Sequence, residues 1–284
     1  MRKIVLKSGR ILGDGGPVFV IAEVGINHDG DAAKARELID AAKESGADSV
    51  KLQTYDTDKR VSKESPVYDV LKKCELSYDD QNELINYGMS LGLEMFSTPF
   101  DDGAVDFLQS IGVGLFKVAS FDSVNKALLR KIAETKCPVI MSTGMTSQQE
   151  LLEALKIFDQ NPESAWEKVA LLHCVSAYPL DDTDANLSVI RTLRNSFKGP
   201  VGYSDHTIGI EIPVLAVAGG AQIVEKHFTL DCASPGPDHA MSADPITLGS
   251  MISKIRSVEE VMGNDSLLLR NAELLTESFR RHTD

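Results

Sequence analysis

The chain has 284 residues, 43% of them hydrophobic and 25% charged, which is enough apolar material for one large core and excludes intrinsic disorder as the main theme. Its 42 acidic and 29 basic residues leave a net charge of −13 with no clustered basic face, which excludes nucleic acid as the main partner. An acidic chain can still bind an anionic small molecule where a few cations converge.

Residues 1–17 read as a small N-terminal hairpin, in which Ile4, Val5 and Leu6 precede a turn-rich segment from Gly13 to Pro17. Cations interrupt the apolar residues from Met1 to Arg10, so this start does not read as a secretion signal. Short runs rich in Val, Ile, Leu and Phe then alternate with helical segments, the signature of parallel strands buried on both faces. The strands fall at 18–25, 49–54, 93–99, 115–120, 139–144, 169–175, 201–207 and 223–229. Between them lie amphipathic segments such as 32–45 and 147–158. The second of these opens with Ser147 followed three residues later by Glu150, a capping-box start. The segment 231–244, rich in Pro, Gly and Asp, follows the last strand and is expected to lie over the mouth of the fold. Residues 246–284 read as two C-terminal helices.

Eight strands at this spacing predict an α/β fold, a (β/α)8 TIM barrel forming one domain over 1–284. The competing doubly wound sheet calls for a GxGxxG loop after the first strand, and the chain has Gly25-Ile-Asn-His-Asp-Gly30 there. The cysteines Cys74, Cys137, Cys174 and Cys232 form no CxxC pair and read as reduced thiols. The weakly polar stretch 212–224 is shorter than the roughly 20 residues that span a bilayer. A cytoplasmic protein with no membrane partner is expected.

In a barrel of this class, chemistry gathers at the C-terminal strand ends. Here those ends carry Glu23, Asn27 and His28, then Lys51 and Gln53, Ser97 and Thr98, Lys117 and Ser120, and Ser142 to Gly144. His173, Ser176 and Tyr178 follow, then Ser204 to His206, and finally Glu225, Lys226 and His227. Burying so many polar groups unpaired would cost roughly 1–3 kcal/mol each, so a binding mouth is the simplest account. His206 and His227 end neighbouring strands and could share one metal, or could be two hydrogen-bonded histidines. His28 and His239 could approach the same mouth. Lys51 and Lys117 could hold an anion with Ser120, Ser142 and the Thr143-Gly144 turn, or could pair with Glu23 or Glu225 inside the barrel. Glu23 is a candidate to move protons, or a member of that same ion pair.

At these residues the chain resembles the sialic acid synthase (N-acetylneuraminate synthase) family. The likeness runs from about Val18 to Met262 and rests on IAEVGINHDG (21–30), VKLQT (50–54), STPFD (97–101), FKVAS (116–120), MSTGM (141–145), LLHCVSAYP (171–179), GYSDHTIG (202–209), EKHFTLD (225–231) and PGPDHAMSADP (235–245). The resemblance implies a transferase that condenses phosphoenolpyruvate with an open-chain amino sugar of N-acetylmannosamine type. The products would be a nonulosonic 2-keto acid and phosphate. It implies that His206 and His227 ligate a divalent metal, Mn2+ first, with Mg2+ or Co2+ as alternatives. It places Lys51, Thr98, Lys117, Ser120, Ser142 and Ser204 on phosphoenolpyruvate. Ser176 stands where many members have Asn. Glu23, Gln53, Tyr178 and Asp238 would face the sugar or the water that adds. Glu23, Lys117, His206 and His227 are the expected catalytic groups. Family members usually carry an antifreeze-like domain after the barrel and form homodimers; a barrel without that domain is expected here, as is a homodimer. Two alternatives are a related synthase with a different aldose, and a non-catalytic barrel that binds a sugar or phosphate.

Overall fold

The computed structural model describes residues 2–159, 165–264 and 266–281. The chain opens with an antiparallel hairpin of β1 (Lys3–Val5) and β2 (Ile11–Gly13). Eight parallel strands follow: β3 (Phe19–Gly25), β4 (Ser49–Thr54), β5 (Glu94–Pro99), β6 (Phe116–Val118), β7 (Val139–Ser142), β8 (Val169–Cys174), β9 (Val201–Asp205) and β10 (Ile223–His227). They close on themselves in chain order, with β10 pairing back onto β3. The expected (β/α)8 TIM barrel is therefore the observed fold. Nearly every strand residue is buried, which explains why the strands read as continuous apolar runs and not as an alternation.

The helices are α1 (Ala32–Glu44), α2 (Thr57–Arg60), α3 (Tyr68–Lys73), α4 (Tyr78–Ser90), α5 (Asp102–Ser110), α6 (Lys126–Glu134), α7 (Gln148–Phe158), α8 (Ser188–Ser196), α9 (Glu211–Ala218) and α10 (Pro245–Met262). The α7 start is the expected capping box. Ser147 Oγ accepts from the Glu150 N–H, and Glu150 Oε2 accepts from the Ser147 N–H. In α1, Leu38, Ile39 and Ala42 turn inward onto the sheet, as an amphipathic pattern requires.

The hairpin lies across the N-terminal ends of the barrel strands. Gln222, just before β10, donates through Nε2 to Asp14 Oδ1 at 2.6 Å. Arg10 Nη1 lies 3.1 Å from Asp48 Oδ1, just before β4, and Arg10 Nη2 donates to the Gly92 carbonyl at 2.8 Å before β5. Ile4, Leu6 and Leu12 join the main core from this side.

Two expectations change. The first three barrel strands end where expected, but β6 to β10 end one or two residues earlier than expected, so Ser120 sits in a 3-10 turn (Ser120–Asp122) and His206 lies just past β9. Only one of the two expected tail helices is present among the described residues, α10. Residues 266–281 hold only 3-10 turns at Asn271–Glu273 and Glu277–Phe279, with Leu267, Leu268 and Leu275 exposed. So short a segment, with no core to bury against, does not sustain a helix. Residues 265 and 282–284, within the same expected tail, lie outside the described residues.

Candidate active site

The C-terminal ends of the strands surround a cavity of about 360 Å³, within the range of small-molecule sites. Glu23, Lys51, Gln53, Thr98, Lys117, Ser120, Ser142, Tyr178, Ser204, His206, His227 and Asp238 all line it. The Pro-rich segment after β10 supplies Pro237 and Asp238, so it does cover part of the mouth.

The β3–β4 register shifts between Glu23 and Gly25, a bulge that leaves Val24 as the extra residue beside Glu23. Gly25 sits at φ 56°, and a Cβ there would stand 3.4 Å from Glu23 Oε1 and 3.3 Å from Gln53 Nε2. A larger residue would crowd the carboxylate as well as strain the backbone.

The inner layer of the cavity is a charge cluster. Lys51 Nζ lies 2.9 Å from Glu23 Oε2 and 3.8 Å from Glu225 Oε2, and donates to Thr98 Oγ1 at 3.0 Å. Lys117 Nζ lies 3.4 Å from Glu225 Oε1 and donates to Ser142 Oγ at 2.7 Å. Ser204 Oγ donates to Glu225 Oε1 at 3.0 Å. The Lys–Glu pairs anticipated inside the barrel therefore exist, and they face the cavity. Burial alone would raise the Glu225 carboxyl, but Lys117 and Lys51 bring it below its usual value. Burial pushes Glu23 up to about 7, against the pull of Lys51. Near neutral pH a share of Glu23 is protonated, so two ammonium groups face fewer than two full negative charges, and the cluster attracts an anion.

Across the mouth, the His206 and His227 rings stand 5.6 Å apart between centroids, with Tyr178 4.1 Å from the His206 ring. Burial lowers the pKa of His206 and places that of His227 well below 6.5, so both imidazoles are neutral at pH 7. His206 Nδ1 lies 2.7 Å from the Val175 carbonyl, which only a protonated Nδ1 can satisfy; Nε2 then keeps its lone pair. His227 Nδ1 is buried without a hydrogen-bond partner, with Asp238 Oδ2 3.6 Å away. Two neutral imidazoles, one of them with an orphaned nitrogen, fit two positions of a divalent metal. Among the described residues no group of three or more His, Cys, Asp or Glu could hold a metal ion, so the remaining positions would fall to water or substrate.

Several expectations do not join this cavity. His28 Nδ1 accepts from the Gly30 N–H, and His239 Nδ1 lies 2.7 Å from Thr229 Oγ1; neither histidine lines the cavity. His173 Nε2 lies 2.8 Å from the Ala185 carbonyl, turned away from the mouth. Asn27 is structural, donating to the Phe228 carbonyl and to Ser242 Oγ. Ser176 also stands outside the lining; its Oγ is buried without a partner beside the Gly144 backbone. Sequence reasoning missed Arg60. It closes α2, lines the cavity, and lies with its guanidinium carbon 3.5 Å from the Phe100 ring centroid and 4.6 Å from that of Tyr55. In the sequence it is one of five cations between β4 and α4, with Lys59, Lys63, Lys72 and Lys73, and nothing there sets it apart.

The sequence profile of the NeuB family matches residues 38–266. The chain belongs to the NeuB family. Among NeuB-related proteins, an uncharacterized protein of Methanocaldococcus jannaschii is 46% identical over 264 residues, covering 93% of this chain and 77% of the relative. The N,N'-diacetyllegionaminic acid synthase of Legionella pneumophila is 44% identical, covering 87% of this chain and 73% of that enzyme. The crystal structure of N-acetylneuraminic acid (sialic acid) synthetase from Leptospira borgpetersenii serovar Hardjo-bovis, in complex with citrate, superposes with a TM-score of 0.93. It is 36% identical, and the match covers 98% of this chain and 96% of that one. Among the described residues no helix is long and apolar enough to cross a membrane.

Proposed function

We propose that this NeuB-family barrel is a transferase that condenses phosphoenolpyruvate with the open-chain form of an N-acylated hexose of N-acetylmannosamine type. The products are a nonulosonic 2-keto acid and inorganic phosphate. The observation that carries the reading is one cavity with Lys51 and Lys117 on one wall and two neutral imidazoles on the other.

Lys51 and Lys117 bind the phosphate and carboxylate of phosphoenolpyruvate, and Thr98, Ser120, Ser142 and Ser204 supply hydroxyls around them. Glu225 fixes both ammonium groups in place and holds their charge inside the barrel. The methylene carbon of phosphoenolpyruvate attacks the aldehyde carbon and forms the new carbon–carbon bond. The aldehyde oxygen gains a proton, and the former enol carbon is left electron-poor. Water adds to that carbon and gives up a proton, for which Glu23 is the acceptor. The carbon–oxygen bond to phosphate then breaks while the new hydroxyl gives its proton to the departing phosphate, which leaves the 2-keto acid. A divalent metal held by His206 and His227, Mn2+ first, would supply Lewis acidity at the aldehyde oxygen. Tyr178 packs on the His206 ring and keeps water from it on that side.

The test is phosphate release from phosphoenolpyruvate in the presence of Mn2+ and a panel of 2-acylamino hexoses, with the mass of the product measured. One sugar should give phosphate and a keto acid three carbons longer than the hexose. No release with any sugar at high concentration would refute the reading.

A further inference from the structure

Arg60 stands out among the cavity residues because the chemistry above leaves it without a role. It ends α2 in the loop after β4, where Tyr55, Leu71, Cys74 and Ile26 form a small apolar cluster with Phe100 packed against it. That cluster anchors the loop over the mouth. The guanidinium lies over the rings of Tyr55 and Phe100, and Arg60 Nη1 donates to Gln53 Oε1 at 3.1 Å. Gln53 Nε2 in turn donates to Glu23 Oε1 at 3.2 Å, which fixes the orientation of the amide. Stacking of this kind pre-sets a flat, five-donor group at little further cost in side-chain freedom.

Its position divides the cavity into two levels. Gln53 lies two residues further toward the mouth than Lys51 on the same strand, so Arg60 sits outside the layer of Lys51, Glu225 and Lys117. Phosphoenolpyruvate occupies that inner layer in the reading above, and the outer layer is left to the acceptor. Among the described residues no carboxylate comes within 4.0 Å of the guanidinium, and Gln53 is its one hydrogen-bond partner. The remaining N–H donors are therefore available to a ligand. Asp122, Asp238 and Glu23 nevertheless lie close enough to act on it electrostatically. A doubly charged phosphate ester brought to this spot would meet their repulsion, whereas a neutral carbonyl oxygen would not.

We infer that Arg60 is a specificity-determining residue, whose guanidinium donates to the carbonyl oxygen of the acceptor sugar's acylamino group. This rests on the condensation reading for the identity of the acceptor, but it is tested by binding alone. The probes are N-acetylmannosaminitol and mannitol, open-chain alditols that have no aldehyde and cannot react, titrated calorimetrically into the protein with phosphoenolpyruvate present. The native chain should bind the acylated alditol at least tenfold more tightly than mannitol. Arg60→Ala should remove most of that preference and Arg60→Lys should recover part of it. The affinity for phosphoenolpyruvate should stay within about twofold in both variants. Thermal unfolding of each variant checks that the loop remains packed, and Arg60→Gln serves if Arg60→Ala does not fold.

Equal weakening of both alditols, a loss confined to phosphoenolpyruvate, or a native chain that does not distinguish the alditols would overturn the assignment. So would a loss seen only with the 6-phosphate ester of the acylated alditol, which would make Arg60 a phosphate site. A native chain that shows the preference yet releases no phosphate in the assay above would refute the condensation and leave Arg60 standing.

Discussion

Lys117 and Lys51 are not equivalent. Lys51 has two carboxylates, Glu23 at 2.9 Å and Glu225 at 3.8 Å, and its pKa is raised despite burial. Lys117 has only Glu225, at 3.4 Å, and burial lowers its pKa below 10.5. Its ammonium is the less satisfied of the two, so it has more to gain from an incoming phosphate. Lys117→Met keeps the volume and removes the charge. We expect the KM for phosphoenolpyruvate to rise by about thirtyfold or more, in line with about 2–5 kcal/mol for one partner of a buried charge pair. Steady-state kinetics with sugar saturating checks this, and a KM within twofold of the native value would remove Lys117 from the anion site. The pH profile follows from the same cluster. Glu23 has to be ionised to accept a proton and is pushed up to about 7 in the unliganded chain, so kcat/KM should rise as pH increases through 7. Glu23→Gln should flatten that limb and lower kcat by about 10²–10⁴. A native profile with no inflection between pH 6 and 8 would show that Glu23 is not the group that takes the proton. On the alkaline side, Lys117 loses its charge at a lower pH than an ordinary lysine, so phosphoenolpyruvate binding should weaken before pH 10.5.

At the scale of elements, the two histidines are carried by neighbouring strands that are locked together just behind them. Lys226 Nζ donates to Asp205 Oδ2 at 2.6 Å, both side chains are fully buried, and Lys226 also donates to the Thr207 carbonyl. Asp205 accepts in addition from the Thr207 N–H and hydroxyl. This pair ties the end of β9 to the end of β10, one residue before each imidazole. Asp205→Ala would leave a buried ammonium unpaired and should cost about 3–5 kcal/mol of stability. It should also weaken Mn2+ binding, because the two rings lose their common reference. Denaturant unfolding and metal titration read the two effects separately; an unchanged midpoint would refute the first, and unchanged metal affinity the second. This part of the mouth was legible in the sequence as polar loading, since Ser204, Asp205 and His206, and Glu225, Lys226 and His227, close two runs that begin apolar. The sequence did not announce Arg60. The loop that carries α2 and α3 is polar and aperiodic, and what orients Arg60 is a pair of aromatic rings, Tyr55 just past β4 and Phe100 just past β5, that only folding brings together. Ser176, expected at the mouth from its place after β8, does not line the cavity, and its Oγ is buried without a hydrogen-bond partner. The later strand ends were overestimated because burial continues past the ladder, as at His206 and Thr207 beyond β9.

For the molecule as a whole, the two ends of the chain serve the barrel unequally. At the N-terminal end the hairpin adds Ile4, Leu6 and Leu12 to the core and ties itself to the segments before β4, β5 and β10. Ser8 Oγ also bonds Glu94 at the start of β5. A barrel needs its open bottom closed, since the inward side chains of eight strands otherwise meet water there. Beyond Gly263 the opposite holds: Leu267, Leu268, Leu269, Leu274, Leu275 and Phe279 are all exposed, so the described part of this segment takes little apolar surface out of water. Two truncations should therefore behave differently. Removing residues 1–14 deletes three buried side chains, Ile4, Leu6 and Leu12, each contributing about 1.5–3 kcal/mol, uncovers the core they pack against, and should lower the unfolding midpoint strongly or prevent soluble expression. Removing residues 264–284 should leave the midpoint within about 2 °C and the phosphoenolpyruvate affinity unchanged, because α10 and all the cavity residues remain. Thermal unfolding of the two shortened chains beside the full one decides the matter: a large drop on removing the C-terminal segment would mean that its leucines are covered in solution, and a small one on removing the hairpin would mean that the barrel closes its own floor.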